Sequence, residues 1–482
     1  MPVATKAPRW LGESGWRRLR DRTQSALQAA RRHGRASTLI SVSERLASGV
    51  DPSPVVICSR RPEEHWFCLE QPDRFGTALA ALGCVHELAA PASAERRFDE
   101  VDRRWRELVS RALADPPGGP PGSGLVATGA FAFAAAGGGS PTWKGFGAGA
   151  LVVPELSLAR RAGETWLTVN LMPEADDTVE GVLAGVERRL AELRIEPLPL
   201  LDPAPTGRFL VHSPMPPSHY EEGVARAVER IGAGELEKIV LAREVQVTAP
   251  TAHDPGAVFE VLRGGFPSCF VYAIGRGAAT FVGASPELLV RRDGQRASTV
   301  ALAGSIRRSA DPAVDDHLGE ALVHSEKDRH EIAIVARRIA RALGPYSVWV
   351  TAAPEPALVR VANIQHLATP IRAQLARPVG AVALAGALHP TPAVGGEPWS
   401  AADRLIPALE GLDRGWYAGP VGWTDLTGDG EFCVALRCAL LRGVTATCYA
   451  GCGIVAGSDP ASELAETEVK LEVMLPLISG VA

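Results

Sequence analysis

A chain of 482 residues can bury a large hydrophobic core, as one big domain or as two or three smaller ones. Its formal net charge of −5 is too small to indicate nucleic acid or an anionic membrane as the main partner. No apolar run in the sequence approaches the ~18 residues that a membrane span needs.

The eight cysteines are scattered, with neither a C-x-x-C pair nor a zinc-ligand pattern with histidine. This usage is typical of reduced, buried thiols in a cytoplasmic protein. We therefore expect a cytoplasmic location and no nucleic-acid or membrane partner. Either a monomer or a homodimer is compatible with the sequence.

The N-terminal segment 1–36 is rich in arginine and poor in acidic residues, with Trp10, Trp16, Leu19 and Leu27 interleaved. Its composition resembles a transit peptide, although the apolar core of a secretory signal is missing. We favour a basic amphipathic surface helix that leads into the first strand. An anion or nucleic-acid binder that uses this segment is an alternative, and it predicts salt-dependent binding that is lost when the segment is removed.

Short apolar runs alternate with turn signals over 37–205, which predicts the N-terminal part of a sheet layer without a cluster of catalytic residue types. The predicted strands are 38–42, 55–58, 66–70, 125–133, 150–156 and 165–171, and the predicted helices are 94–114 and 178–192. A proline-punctuated stretch at 196–207 then marks the best boundary before the region 210–482.

The region 210–482 opens with a predicted helix in which Ser218 and Glu221 form a capping box. Lys238 then begins a run that is apolar on both faces, which indicates a buried strand, although a lysine at such a place usually snorkels to the edge. Glu287 follows a Ser-Pro pair between two predicted strands, where a glutamate has no local structural duty. Gly304 is predicted to end a further strand in a turn.

Two predicted helices each carry acidic residues three positions apart. Asp328 and Glu331 lie in the first turns of one, and Glu463 and Glu466 share a face of the other with Lys470. Helix capping and a solvated face are the ordinary explanation. Magnesium prefers oxygen ligands, however, so facing carboxylates on two helices predict a Mg²⁺ site that a substrate carboxylate completes. The glycine-rich stretch before the second helix offers backbone N–H groups to an anion.

Eight motifs in order resemble those of the chorismate-utilising enzymes, and most closely the isochorismate synthases among them. They are KIVLAR at 238–243, GASPELL at 283–289, LAGSIRR at 302–308, SEKDRHE at 325–331, IQHL at 364–367, LHPTPAVGG at 388–396, GWYAGPVG at 415–422 and AGCGIV at 450–455. The resemblance covers about 210–478 strongly and 37–200 more loosely. It implies a single α/β unit of the α+β type, with large antiparallel β-sheets in the middle and helices packed outside.

The resemblance also implies a site for chorismate and Mg²⁺. Glu331 and Glu466 match the metal ligands, and Asp328 and Glu463 match the carboxylates that support metal-bound water. Substrate contacts are implied at Gly304, Ser305, Ala393, Tyr417, Arg437, Gly451, Gly453 and Lys470. A dianionic substrate needs that much positive charge and N–H character to leave water.

Isochorismate formation adds water at C2 of chorismate and expels the C4 hydroxyl. The resemblance implies Lys238 as the base for the water and Glu287 as the acid for the leaving group, on opposite faces of the ring. A free lysine titrates near ~10.4 and a free glutamate near ~4.3, so both roles need buried surroundings.

Two positions distinguish the family members. Relatives that use ammonia lack a lysine at the position of Lys238, so this residue indicates water as the nucleophile. Those relatives and the salicylate synthases carry threonine where this chain has Ala393. The alternatives are a salicylate synthase, which carries isochorismate on to salicylate and pyruvate, and a catalytically silent scaffold subunit. The resemblance implies a product that supplies menaquinone or a salicylate- or catechol-type siderophore.

Overall fold

A computed structural model of the chain describes residues 10–33, 37–47, 49–91, 96–202, 205–361 and 363–480. The α-helices in these residues are α1 (Glu13–His33), α2 (Pro52–Ser59), α3 (Arg97–Val109), α4 (Val179–Ala191), α5 (Pro217–Gly232), α6 (Pro255–Gly265), α7 (Pro312–His324), α8 (Glu326–Leu343), α9 (Ala381–Leu388), α10 (Trp399–Glu410), α11 (Pro460–Leu471) and α12 (Leu475–Ser479). None of the helices in the described part of the chain has the length and apolarity to cross a membrane.

The strands fall into two large sheets. They are β1 (Ile40–Arg45), β2 (Trp66–Gln71), β3 (Thr77–Leu82), β4 (His86–Ala89), β5 (Leu113–Ala114), β6 (Val126–Phe131), β7 (Gly149–Val153), β8 (Leu156–Arg161), β9 (Glu164–Leu171), β10 (Leu210–His212), β11 (Lys238–Thr248), β12 (Phe270–Arg276), β13 (Ala279–Ser285), β14 (Leu288–Asp293), β15 (Arg296–Arg307), β16 (Ser347–Ala352), β17 (Ala357–Arg360), β18 (Ile364–Leu375), β19 (Gly396–Glu397), β20 (Pro420–Asp425), β21 (Gly430–Val434), β22 (Cys438–Arg442) and β23 (Thr445–Ile454).

The first sheet runs in the order β10-β11-β23-β22-β13-β12-β2-β3-β8-β9-β1-β5, and β19 also pairs with β11. The second runs β16-β18-β15-β14-β21-β20-β6-β7-β4, and β17 also pairs with β18. Neighbours are antiparallel except β1 and β5. The predicted fold class, antiparallel sheets with helices packed against them, is therefore confirmed.

Strands from before and after the proline-rich stretch share both sheets. In the first sheet β12 pairs with β2, where Tyr272 opposes Leu69. In the second sheet β20 pairs with β6, where Gly422 opposes Gly129. Apolar side chains from both sheets form one extended core. The sheet layer therefore passes through the whole chain, and the site described below lies where the two sheets face each other.

Most of the predicted elements are present, with shifts of a few residues at their ends. The predicted N-terminal helix is confirmed as α1, in which Leu19 and Leu27 are buried. Residues 1–9 and 34–36 of the predicted basic segment lie outside the described residues. The predicted helices 94–114 and 178–192 are α3 and α4.

Three local predictions are wrong. The predicted strand at 55–58 is part of helix α2, because Pro52 begins a helix that is buried on nearly every side and therefore apolar all round. The Ser218–Glu221 capping box does not form, since α5 begins at Pro217 with no side-chain cap. Gly304 does not end β15 in a turn. It forms a bulge within that strand, with a φ of +69° and a register shift between Ala303 and Ser305.

Candidate active site

A cavity of about 820 Å³, counted to its open mouth, lies between the two sheets. Strands β11 and β23 of the first sheet form one wall, and β15 and β18 of the second sheet form the opposite wall. Helices α8 and α11 close it with their first turns. Of the fourteen residues predicted for the site, thirteen line this cavity, and Lys238 lies directly behind the wall.

Lys238 is the first residue of β11 and its side chain is 1% exposed. Its Nζ lies 2.8 Å from Glu331 Oε1, so the buried amino group has a carboxylate partner. Gly453 of β23 covers this ion pair. A Cβ on Gly453 would collide with the Glu331 carboxylate and lie 2.8 Å from Lys238 Cε, so only glycine permits the close approach.

Glu287 occupies the short link between β13 and β14 and is buried. Its backbone is fixed at both groups: N donates to Ser285 Oγ at 3.2 Å, and O accepts from Val434 N at 3.0 Å. Burial raises the pKa of the Glu287 carboxyl to about 7, and the charges of Lys238, Arg437 and Lys470 limit the rise. A carboxyl with this pKa holds its proton about half of the time near neutral pH.

The acidic pairs on α8 and α11 meet at one end of the cavity. Glu463 Oε1 lies 2.9 Å from Lys327 Nζ, and Glu466 Oε1 lies 2.6 Å from Lys470 Nζ. Burial raises the pKa of Asp328 and of Glu463. For Glu466, burial acts in the same direction, but the adjacent Lys470 charge and hydrogen bond outweigh it and lower the pKa. Several carboxylates are therefore held close together in a partly desolvated place.

The donor chemistry of this end of the cavity fits a hard dication such as Mg²⁺. Carboxylate oxygens are the ligands that Mg²⁺ prefers, and two helices supply four of them to one cavity. Ligand atoms of Glu463, Glu466 and Cys452 lie within 4.8 Å of one another. Glu331 lies outside this tight group and is held by Lys238 instead. The Cys452 thiol donates to Glu463 O at 3.4 Å, and a thiol is a poor ligand for Mg²⁺.

A cationic end of the cavity adjoins these carboxylates. Arg437 is buried and has a φ of +49°, a backbone conformation that non-glycine residues rarely adopt and that is common at functional sites. Lys470 Nζ donates to Gly451 O at 2.8 Å. The pairing of β22 with β23 ends at Tyr449, so residues 450–454 are paired on the β11 side only, as far as the structure describes the chain. This free edge suits the predicted binding of a carboxylate by Gly451 and Gly453.

His366 supports the cationic end without taking up a proton. Burial lowers the pKa of His366 to about 3, with the Arg437 charge as the next cause. His366 Nδ1 lies 3.0 Å from the Gly304 carbonyl oxygen, so this nitrogen carries the hydrogen. His366 Nε2 then accepts from Arg437 Nη2 at 3.4 Å. Burial also lowers the pKa of His389 to about 3, and His389 Nε2 lies 2.9 Å from the Phe133 carbonyl oxygen.

Sequence reasoning missed two charged residues of the cavity wall. Arg414 lines the cavity and forms a buried ion pair with Glu410 at the end of α10. Arg414 immediately precedes the GWYAGPVG motif, but its partners are mostly backbone atoms, which leave no pattern in a sequence. Lys327, which pairs with Glu463, lies within the SEKDRHE motif, but the sequence alone indicated no role for it.

Residues 25–479 match the family profile of chorismate binding enzymes. The chain belongs to this family. Among the relatives of this chorismate binding enzyme is the salicylate biosynthesis isochorismate synthase of Pseudomonas aeruginosa, 38% identical over 439 residues, which are 90% of this chain and 89% of the relative. The isochorismate synthase MenF of Bacillus subtilis is 36% identical over 394 residues, 80% of this chain and 82% of the relative.

A solved structure extends the similarity to the fold. MenF of Escherichia coli, described as a menaquinone-specific isochorismate synthase, superposes with a TM-score of 0.75 at 25% identity, over 95% of this chain and 99% of MenF. The similarity to MenF therefore covers both the N-terminal strands and the cavity region. As a member of the family, the protein binds chorismate.

Proposed function

We propose that the protein is an isochorismate synthase, which converts chorismate to isochorismate with Mg²⁺. The observation that carries the proposal is the position of Lys238 and Glu287, two buried titratable residues beside a cavity that is lined by both carboxylates and cations. Water addition coupled to loss of a hydroxyl needs one base and one acid, and this pair supplies both. The names of the relatives point to the same reaction.

Binding of the substrate follows from the charge of the cavity. Chorismate carries two carboxylates, and Arg437, Lys470 and the free edge of β23 offer donors for one of them. The Tyr417 hydroxyl is available beside these groups, since burial raises the pKa of Tyr417 and keeps the phenol protonated. We infer that these groups hold the substrate in one orientation.

Glu331 and Glu466 would hold Mg²⁺, with Asp328 and Glu463 orienting its water ligands. Bound there, the ion would neutralise the second substrate carboxylate and the carboxylates around it. Glu331 pairs with Lys238, and Glu466 pairs with Lys470.

The protein's own groups then move the protons. Lys238, acting as the neutral amine, takes a proton from a water molecule as the oxygen attacks C2 of the ring, and the ring double bonds shift towards C4. Glu287 gives its proton to the departing C4 hydroxyl, which leaves as water. A carboxyl with a pKa of about 7 is suited to this step, because it is protonated often enough to act and gives up the proton readily.

Ala393 favours a reaction that stops at isochorismate, and its small side chain lines the cavity beside Val394. The relatives are named for salicylate and for menaquinone formation, and isochorismate is the compound they make in common. We therefore propose isochorismate as the released product.

Product analysis tests the proposal. Purified protein with chorismate and Mg²⁺ should yield isochorismate, with pyruvate formed only when an isochorismate lyase is added. Abundant pyruvate without the lyase would identify a salicylate synthase instead. Absence of any chorismate turnover, with chorismate binding retained, would identify a silent binding subunit.

A further inference from the structure

The two edges of strand β11, which carries Lys238, are covered in different ways. Strand β23 pairs with one edge continuously from Ile239 to Thr248. On the other edge β19 pairs only with residues 238–239, and β10 only with residues 246–248. Val240 N is satisfied by Gly395 O at 2.7 Å. Within the described part of the chain, the middle of this edge therefore has no strand beside it.

A buried ion pair fills that gap. Arg414 Nη2 donates to Val240 O at 2.8 Å, and Glu410 Oε1 accepts from Ala242 N at 2.7 Å. Arg414 Nε donates to Glu410 Oε2 at 3.0 Å, and the two side chains are 3% and 1% exposed. The guanidinium and the carboxylate thus supply the donor and the acceptor that a neighbouring strand would otherwise give.

Arg414 also contacts two more pieces of the cavity wall, one through its guanidinium and one through its backbone. Arg414 Nη1 donates to Val394 O at 2.7 Å, directly after Ala393. The backbone O of Arg414 accepts from Tyr417 N at 3.0 Å. The ring of Phe133 lies under the guanidinium, with its centroid 4.2 Å from Arg414 Cζ, and fixes the plane of the fork.

We propose that Arg414, oriented by Glu410, is a positioning residue that sets the base strand against the rest of the cavity. This inference rests on the proposed function, because it concerns where Lys238 stands relative to the substrate. Arg414 connects the strand of the base, the turn that carries Ala393 and the segment that carries Tyr417. Lys238 precedes Val240 by only two residues in β11. A shift of β11 at the Arg414–Glu410 ion pair therefore moves the base.

Lysine cannot replace this arginine. Val240 O, Val394 O and Glu410 receive donors from three different nitrogens of one rigid planar group. A lysine ammonium keeps the charge but has one nitrogen on a flexible stem, so it cannot reach all three acceptors at these separations. Arg414→Lys therefore separates the positional role from the charge.

The test compares turnover with binding in Arg414→Lys and Glu410→Gln. A displacement of the base by about 1 Å lowers the rate about 10²-fold, so we expect that loss in kcat. The KM for chorismate should stay within about three-fold, because the anion-binding groups are untouched. Arg414→Ala adds a rescue: methylguanidinium should restore part of kcat in this variant and none in Lys238→Ala.

Glu431→Gln is the matched control. Glu431 lies on β21, away from the cavity. Its buried carboxylate pairs with Arg74 and Arg291. Its loss should lower the melting temperature and leave kcat unchanged. If Arg414→Lys and Glu410→Gln behave in the same way, the pair is merely structural and the inference is wrong. If Arg414→Ala does not fold, Arg414→Lys and Glu410→Gln decide alone.

Wild-type protein measured beside the variants keeps the two proposals apart. If wild type makes no isochorismate, the proposed function fails. If wild type makes isochorismate and Arg414→Lys does so at the same kcat, only the positioning role fails. A large loss of kcat with unchanged KM and with guanidinium rescue supports the positioning role.

Discussion

The N-terminal part, 37–202, and the region 210–480 build the same two sheets, yet they differ in what they do with buried charge. Every residue that lines the cavity falls between Val240 and Lys470, among the residues that the structure describes. In the N-terminal part, buried charges have structural partners. Arg97 donates to the carbonyl oxygens of Ala132 and Phe133, and Arg189 pairs with Glu64.

In the cavity region several buried charges are left open to a ligand. No hydrogen bond reaches the Glu287 carboxylate among the described residues, and burial raises its pKa. Arg437 has a histidine nitrogen as its neighbour and no carboxylate partner in the same part of the chain. The comparison shows that, within one pair of sheets, buried charges can be neutralised by protein partners in one part and remain available to a ligand in another. The N-terminal part still contributes indirectly, since Phe133 packs against Arg414.

The largest expected effect is a loss of catalytic rate in a variant of the cavity region. Lys238→Ala should lower kcat about 10³-fold, because general base catalysis contributes on that order and no other amine takes its place. Far-UV circular dichroism should match wild type, since β11 is held by its backbone pairing with β23. Initial rates of isochorismate formation provide the measurement. Near-normal activity of Lys238→Ala would refute the base assignment.

A smaller effect is expected on the affinity for Mg²⁺. Glu466→Gln should raise the Mg²⁺ concentration for half-maximal activity about 10- to 100-fold, since it removes a charged group of the proposed metal site beside Lys470. Calorimetric titration of Mg²⁺ into the substrate-free and chorismate-bound protein gives a readout independent of turnover. Chelation with EDTA should stop wild-type turnover. Unchanged Mg²⁺ affinity in Glu466→Gln would remove this residue from the metal site.

The N-terminal part should show the opposite behaviour, a loss of stability without a loss of activity. Leu158 on β8 is 2% exposed in the core on the far side of the first sheet. Leu158→Ala should lower the free energy of unfolding by about 2–5 kcal/mol. Denaturant titration measures the loss, and kcat at a temperature well below melting should equal that of wild type. A drop in kcat of the folded variant would show that the two regions are coupled more closely.

The smallest effect is a dependence of stability on pH. The pKa of Glu287 is raised from 4.5 to about 7, so the folded state keeps a proton that the unfolded chain has released. Stability is therefore lost as pH rises from 4.5 through 7, and the loss amounts to about 3 kcal/mol at pH 8. Glu287→Gln removes the ionisable group. The free energy of unfolding of Glu287→Gln should exceed that of wild type, and this excess should be about 1 kcal/mol larger near pH 8 than near pH 6.

Denaturant titrations of both proteins at the two pH values measure this difference. Equal gains at both pH values would mean that the Glu287 carboxyl is not buried in its protonated form. Leu158→Ala is a useful control, because its stability loss should not depend on pH in this range.

The sequence predicted the cavity residues better than it predicted local structure. Glu287 and Glu331 lie in separate motifs and Glu466 lies on the helix after the last motif, and the order of the motifs was sufficient to anticipate one site. The ion pair of Lys238 with Glu331 was not anticipated, since it joins residues on different elements and nothing local encodes it. An apolar run such as 55–58 suits a strand and a fully buried helix equally well, and only Pro52 favoured the helix.

The role of Gly304 shows the same limit. A glycine at the end of an apolar run predicts a turn, but the long pairing of β15 with β18 continues past it and accommodates it as a bulge. The roles of Arg414 and Glu410 could not be predicted, because these residues bind backbone atoms of β11, which are the same for every sequence. Long-range backbone contacts of this kind become visible only in the structure.

The origin of the oxygen atom at C2 tests the central claim most directly. Wild-type protein should convert chorismate in water enriched with oxygen-18, and mass spectrometry of the earliest isochorismate gives the isotope content. If Lys238 activates solvent water for attack at C2, each product molecule carries one oxygen-18 atom in the C2 hydroxyl. Retention of unlabelled oxygen at C2 would mean that the C4 hydroxyl migrates, and it would contradict the roles of both Lys238 and Glu287.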